Sequence, residues 1–448
     1  MLIIIHGWSD TSNSFKRLGN LLKAEGIVSS VAHVRLGDYI SLDDDVTFDD
    51  LSTALQAAWV KEKLPTSPRS CDVVIHSTGG LVIRHWLTTH HKPQTNPIHR
   101  LLMLAPANFG SHLAHKGRSF VGRVVKGFKS ERRFHTGAKI LDGLELASPF
   151  TWELAQQDRF GSETWYGSGA MLCTVLVGTA GYGGISAVAN ESGSDGTVRV
   201  STANLDPLYV KLDFAKNPQE PTVQLKRPKG STAFARLPGV NHTTITLNKT
   251  EKTNSMVLGF IKEALTVTDS SFDAHIARLH THSEQARNAE SGIRHTQAYQ
   301  NTVVRLTDDA EAGVEDYFFE LFAKRRNSDG SFGGVDNRIT AIIQQEIFGK
   351  VHNFKADPSY RSMLFNINAL RSRIISEGLP LFASITAMPD IRQTKTVGYS
   401  TVGYDDIGSI RLDTKRLNEL FQPDRTVLID IVIKREQTER VFQFKPLT

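Results

Sequence analysis

Short apolar runs alternate with longer stretches of helical periodicity over the first 265 residues of the chain. Leu2–Ile5, Val73–Ile75, Leu101–Leu104 and Leu172–Val177 have the length and composition of buried strands. Between and after them, Ser14–Glu25, Phe48–Leu64, Leu81–His90 and Asn254–Leu265 carry apolar positions at helical spacing. This alternation predicts an α/β domain built on a mostly parallel sheet, with helices on both faces.

The pattern changes after about Thr266. Phe272, Ile276 and Leu279 form one helical stripe. Beyond it come runs suited to strands: Thr302–Leu306, Asp316–Phe322, Met363–Ile367, Leu381–Thr386 and Val427–Lys434. Turn signals such as Asn327-Ser328-Asp329-Gly330 separate them. The expected organisation is an α/β domain over 1–267 and a mainly β, sandwich-like domain over 268–448. No internal repeat stands out.

Composition adds bounds. At 448 residues the chain is long for a single core, which favours two domains. A net charge of +5 without a dense Lys/Arg block gives no case for a nucleic-acid partner. The two cysteines, Cys71 and Cys173, fall at predicted buried strands and read as reduced core residues. The start, Met-Leu-Ile-Ile-Ile-His-Gly, lacks a basic segment and carries only a short apolar run. We therefore expect cytoplasmic synthesis with no cleaved signal and no membrane span, with export by a signal-independent route left open.

The chemistry centres on Asp72–Trp86, DVVIHSTGGLVIRHW. A strand must end at Ile75 and a helix begin near Leu81, so His76-Ser77-Thr78-Gly79-Gly80 has to reverse the chain. A serine at such a turn stands above the sheet edge, near the positive end of the next helix. Serine is a weak nucleophile at neutral pH and needs a histidine base oriented by an acid. Asp195, in Gly193-Ser194-Asp195-Gly196, is the acid candidate, with Glu191 and Asp206 as alternatives nearby. His242, in Gly239-Val240-Asn241-His242, is the base candidate. For the oxyanion hole, His6-Gly7-Trp8 turns out of the first strand, and the N–H groups of Trp8 and Thr78 form the expected pair.

Five segments, IIIHGWSDTSNSF, VVIHSTGGLV, LLMLAPANFGSHLA, SDGTVRVSTANL and GVNHTTI, stand in the order found in lipases and esterases of the α/β-hydrolase family. The resemblance is closest to the group containing bacterial lipases, bacterial phospholipase effectors and the GPI inositol-deacylases. It spans residues 1 to about 265. It implies Ser77 as nucleophile, Asp195 as acid, His242 as base and Trp8 and Thr78 as oxyanion donors. It also implies ester hydrolysis on a lipid or phospholipid, with no cofactor. One position departs from the family pattern: Ile75 stands where G-x-S-x-G has a glycine. Smaller neighbours must take up its bulk, or the elbow is impaired. The chain also opens directly at the oxyanion strand, so the family's earlier edge strands are expected to be missing.

The resemblance places a lid or cap insertion at 116–170. Within it Phe120, Val121, Val124, Val125 and Phe128 share one helical face. Seven basic residues, Arg123 and Lys126 among them, surround that face against the single acid Glu131. This suits insertion into an anionic membrane or, equally, a cap packed on the domain. No histidine grouping has metal-ligand spacing. His6 and His76 read as structural supports, and His275, His280 and His282 as solvated. An acyltransferase or thioesterase would use the same triad, while a damaged elbow would leave an interaction module. The β domain is a candidate contact for a membrane, a protein partner or the hydrolase itself.

Overall fold

A computed structural model describes residues 1–6, 15–40, 44–116, 137–247, 254–290, 292, 298–387, 402–403 and 406–434. The chain divides into two compact units that do not follow a single cut. Unit 1 comprises Met1–Pro207, Arg227–Ala298 and Asp424–Thr426, and unit 2 comprises Leu208–Lys226, Tyr299–Pro423 and Val427–Thr448.

Unit 1 is built on six parallel strands. In chain order β1 is Leu2–His6, β2 Val31–Arg35, β3 Cys71–His76, β4 Ile98–Leu104 and β5 Leu172–Gly178. The next two, β6 (Leu208–Asp213) and β7 (Thr222–Lys226), belong to the other unit, and β8 (Ala233–Leu237) completes this sheet. The order is β2-β1-β3-β4-β5-β8, with every neighbouring pair parallel. Continuous apolar runs form the central strands because a parallel sheet is covered on both faces. Leu2 to Ile5 are fully buried, as is each residue of β5.

Helices α1 (Lys16–Ala24), α2 (Phe48–Lys61) and α3 (Gly79–His90) follow strands in alternation. Thr47 opens α2 with a reciprocal capping box to Asp50. Trp59 and Trp86 stack 4.7 Å apart and join α2 to α3. Arg84, buried on α3, forks onto Asp158 at 2.7 and 2.9 Å, and Tyr166 donates to the same carboxylate. Cys71 and Cys173 are free and buried, and burial pushes both thiols up to about 12.

The long helix Phe272–Glu290 lies in unit 1, although the apolar pattern alone put a boundary before it. Its Ser283 hydroxyl accepts from the Arg236 N–H of β8, and Glu290 pairs with the Arg236 guanidinium at 3.0 Å. Asp424 is held here too, by Arg236 at 3.1 Å and Arg287 at 3.0 Å. The expectation that His275 is solvated is corrected. It is 4% exposed, lies 3.1 Å from Thr174 Oγ1 on β5, and its Nδ1 lies 2.7 Å from Glu263. Its position three residues along from Phe272 turns it onto the sheet side of the helix.

In unit 2 the strands are β9 (Tyr299–Asp308), β10 (Tyr317–Phe322), β11 (Lys324–Arg326), β12 (Phe332–Val335), β13 (Phe348–Asn353), β14 (Tyr360–Asn366), β15 (Leu381–Ala387), β16 (Ile410–Leu412) and β17 (Thr426–Ile433). A mixed six-stranded sheet runs β13-β14-β9-β17-β6-β7, with β17 and β6 parallel. A three-stranded antiparallel sheet, β10-β15-β16, contributes to the same apolar core, and β11 and β12 form a small ribbon. Among the described residues no helix is long and apolar enough to cross a membrane.

Candidate active site

Ser77 sits between the end of β3 and the start of α3 with φ +56°, a left-handed conformation that costs a non-glycine residue about 1–3 kcal/mol. Backbone bonds fix the turn. The Ser77 N–H donates to Leu104 O at 3.1 Å, extending the β3–β4 ladder, and Gly80 N–H donates to Ser77 O at 3.0 Å. The Ala107 N–H also reaches Ser77 O, at 3.3 Å, so the Pro106–Asn108 segment braces the elbow.

Ile75 is fully buried and lies against Gly79 and Gly80, the two glycines that open the next helix. A Cβ at Gly79 would stand 3.4 Å from Ile75 Cβ, and one at Gly80 3.6 Å from Ile75 Cδ1. Gly80 is tighter still on its other side, where a Cβ would lie 2.8 Å from Pro106 Cβ. Both distances to Ile75 are ordinary van der Waals contact, so the isoleucine packs against the elbow glycines without a clash.

His242 reaches the elbow from the loop after β8. Asn241 shapes that loop, its side-chain oxygen accepting from the N–H groups of Thr243 and Thr244 at 3.0 and 2.9 Å. The loop is pinned to the end of β5, where Ala180 N–H donates to Val240 O, and Gly178 leaves no room for a Cβ beside that carbonyl. His242 Nε2 lies 3.0 Å from Ser77 Oγ, and Nδ1 lies 2.9 Å from Asp195 Oδ2. A carboxylate only accepts, so Nδ1 carries the proton and Nε2 is free to accept from the serine. The ring is 1% exposed and Asp195 fully buried.

Asp195 arrives on the loop after β5. Its Oδ1 accepts from the N–H groups of Thr197 at 2.9 Å and Val198 at 2.8 Å, which leaves Oδ2 directed at the imidazole. Gly196 (φ +95°) lets the Tyr182 ring close over the loop; a Cβ there would stand 2.6 Å from it. Burial raises the Tyr182 phenol above its ordinary range, so it remains a neutral wall beside the carboxylate.

The other two acids considered from the sequence have different partners. Glu191 faces Arg199 at 2.9 Å and His112 at 3.5 Å, all three buried. Asp206 pairs with Arg425 at 2.7 Å. Thr78 follows Ser77 at the head of α3, where N–H groups lack carbonyl partners within the helix. Trp8, Phe120, Val121, Arg123, Val124, Val125, Lys126 and Phe128 lie outside the described residues.

One supporting histidine was expected from the sequence, His76, and one, His112, carried no signal beyond its type. His76 Nε2–H donates to the carbonyl oxygen of His242 at 2.9 Å, and the two rings lie 4.5 Å apart, so His76 buttresses His242. His112 donates from Nε2 to Ala189 O at 3.0 Å beneath the acid loop. Burial lowers its imidazole to about 4, because the charge on Glu191 is already met by Arg199 and offsets only part of the desolvation. Among the described residues no group of three or more metal-ligating side chains converges.

No family model and no curated protein sequence matches the chain. Solved structures do. Phospholipase PlaB from Legionella pneumophila superposes with a TM-score of 0.79 at 23% identity, covering 100% of this chain and 96% of that one. The same phospholipase in complex with thio-NAD gives 0.77 at 22% identity, over the same shares. The parallel sheet, the left-handed serine elbow after its third strand and this full-length likeness give the chain an α/β-hydrolase fold carrying a further mixed-sheet unit.

Proposed function

We propose that this chain is a serine hydrolase of carboxylic esters, acting on lipids or phospholipids through an acyl-enzyme. One observation carries the reading: a left-handed Ser77 whose Oγ is 3.0 Å from a buried histidine, itself 2.9 Å from a buried aspartate. Ser77 Oγ attacks the acyl carbonyl carbon while its proton passes to His242 Nε2. Asp195, acceptor to Nδ1–H, stabilises the imidazolium. The N–H groups of Thr78 and Trp8 receive the oxyanion. The tetrahedral adduct collapses, the C–O bond to the alcohol breaks, and His242 returns its proton to the leaving oxygen. Water, deprotonated by the same nitrogen, then frees the acid. Each proton taken is given back, so the cycle needs no cofactor.

The lipid assignment draws on the likeness to a phospholipase over the whole chain and on the basic amphipathic stretch at 116–133. A fluorophosphonate probe tests the chemistry. It should label the wild-type chain in proportion to lost esterase activity and leave Ser77→Ala unlabelled. Equal labelling of Ser77→Ala would remove Ser77 from the mechanism. Lipid profiling of membrane extracts treated with wild type and Ser77→Ala identifies the class of ester. Retention of the acyl group on an added alcohol in preference to water would turn the reading toward an acyltransferase.

A further inference from the structure

Unit 2 holds a cavity of about 300 Å³ lined by its six-stranded and three-stranded sheets. Its floor is one face of the six-stranded sheet, including Val210 and Leu212 of β6 and, paired beside them, Leu225 and Val223 of β7. The roof comes from the three-stranded sheet, through Phe319, Leu321 and Ala383. The helix Thr414–Leu420 supplies Arg416 and Glu419 to the lining.

Protein interiors pack with few voids larger than a water molecule. An apolar cavity of about 150 Å³ already accepts benzene and stays dry when empty. This one is about twice that size. Two polar side chains face it from β9, and each is answered within the protein: the Gln300 amide donates to Thr302 Oγ1 at 3.0 Å and accepts from Gln422 N–H at 2.8 Å. The interior therefore asks for hydrocarbon and for no polar partner.

Its approach and its polar edge narrow the ligand further. Every residue of β7 is exposed, and Val223 and Leu225 are 46% and 39% exposed while lining the cavity, so apolar surface leads outward along this edge strand. Arg416 is exposed and lines the same space, with one guanidinium nitrogen on Arg411 O. On the scale where about 150 Å³ accepts the six carbons of benzene, this volume holds on the order of a dozen carbons, one chain rather than two. We propose that this cavity binds the chain of a single-chain anionic amphiphile, a fatty acid or a lysophospholipid, with its head at Arg416. The lining belongs to unit 2 alone, and the binding it predicts does not depend on the chemistry of Ser77.

The test uses the full-length Ser77→Ala chain, which removes turnover, titrated with a dansylated undecanoic acid. One saturable site should appear. Competing fatty acids should displace the probe about fourfold better per added methylene until the cavity is full. Ala383→Phe, which fills the roof, and Leu225→Glu, on exposed strand surface, should each weaken binding at least tenfold. Arg416→Gln should weaken dodecanoate and leave dodecanol unchanged. Displacement by dodecanoate assigns a free fatty acid, and displacement by lysophosphatidate alone assigns the lysolipid; both support the site. Absence of saturable binding, or binding indifferent to both Leu225→Glu and Arg416→Gln, overturns it. Fluorophosphonate labelling of the chain with Ser77 intact reports separately on the hydrolytic reading.

Discussion

Replacing Asp195 with asparagine should invert the tautomer of the His242 imidazole while leaving the fold intact. The carboxylate is held by two N–H donors, Thr197 at 2.9 Å and Val198 at 2.8 Å, both on Oδ1. An asparagine keeps those bonds only with its oxygen at the Oδ1 position. The opposite orientation would bury two unanswered N–H groups, at about 1–3 kcal/mol each. The amide NH₂ must then face His242 Nδ1, which can only accept from it. The ring proton moves to Nε2, and the atom 3.0 Å from Ser77 Oγ becomes a donor with no capacity to take the serine's proton. A wrong-tautomer histidine in such a triad lowers kcat by roughly 10⁴, about 5 kcal/mol of transition-state stabilisation. The assay is hydrolysis of a soluble short-chain p-nitrophenyl ester, with kcat and KM measured separately and thermal melting alongside. We expect the loss in kcat, with KM and the melting temperature nearly unchanged. A kcat within tenfold of wild type, at an unchanged melting temperature, would refute the role of Asp195.

Two further outcomes follow from the structure and a third from the sequence. Gly80→Ala should abolish fluorophosphonate labelling, because its Cβ would fall 2.8 Å from Pro106 Cβ, whereas Gly79→Ala, at 3.4 Å from Ile75, should retain it; the reverse order would contradict the close packing of the elbow on Pro106. The unfolded chain protonates its histidines near 6.5, whereas buried His112 does so only near 4, so its contribution to stability is whole above pH 6.5 and declines as pH falls toward 4, by at most about 3 kcal/mol. Melting temperature against pH should therefore flatten across that window in His112→Gln, and an unaltered slope would assign the acid sensitivity elsewhere. Replacing Val124 and Phe128 together by aspartate should abolish binding to anionic vesicles while sparing hydrolysis of a soluble ester, and unchanged vesicle binding would leave the 116–133 stretch as a cap.

The sequence alone determined what depends on local pattern. Four of the six parallel strands read directly from continuous apolar runs, and the helix after the elbow from its spacing. Ser77 was legible because a strand, a small-residue turn and a helix follow one another within fifteen residues. His242 was legible as a loop histidine placed just before the closing helix. Tertiary structure decided what depends on partners distant in the chain. β6 and β7 occur amid the sequence of unit 1, yet β6 pairs in parallel with β17, more than 200 residues away, and no local periodicity encodes that choice. Glu191, Asp195 and Asp206 share a short stretch of loop and the same carboxylate chemistry. Arg199 and Arg425 engage two of them, and two backbone N–H groups aim the third at His242. Ile75 marks the same limit from the other side. Its mismatch with the elbow pattern is visible in the sequence, but only packing against Gly79 and Gly80 shows where its volume goes, because volume is shared between neighbours in space.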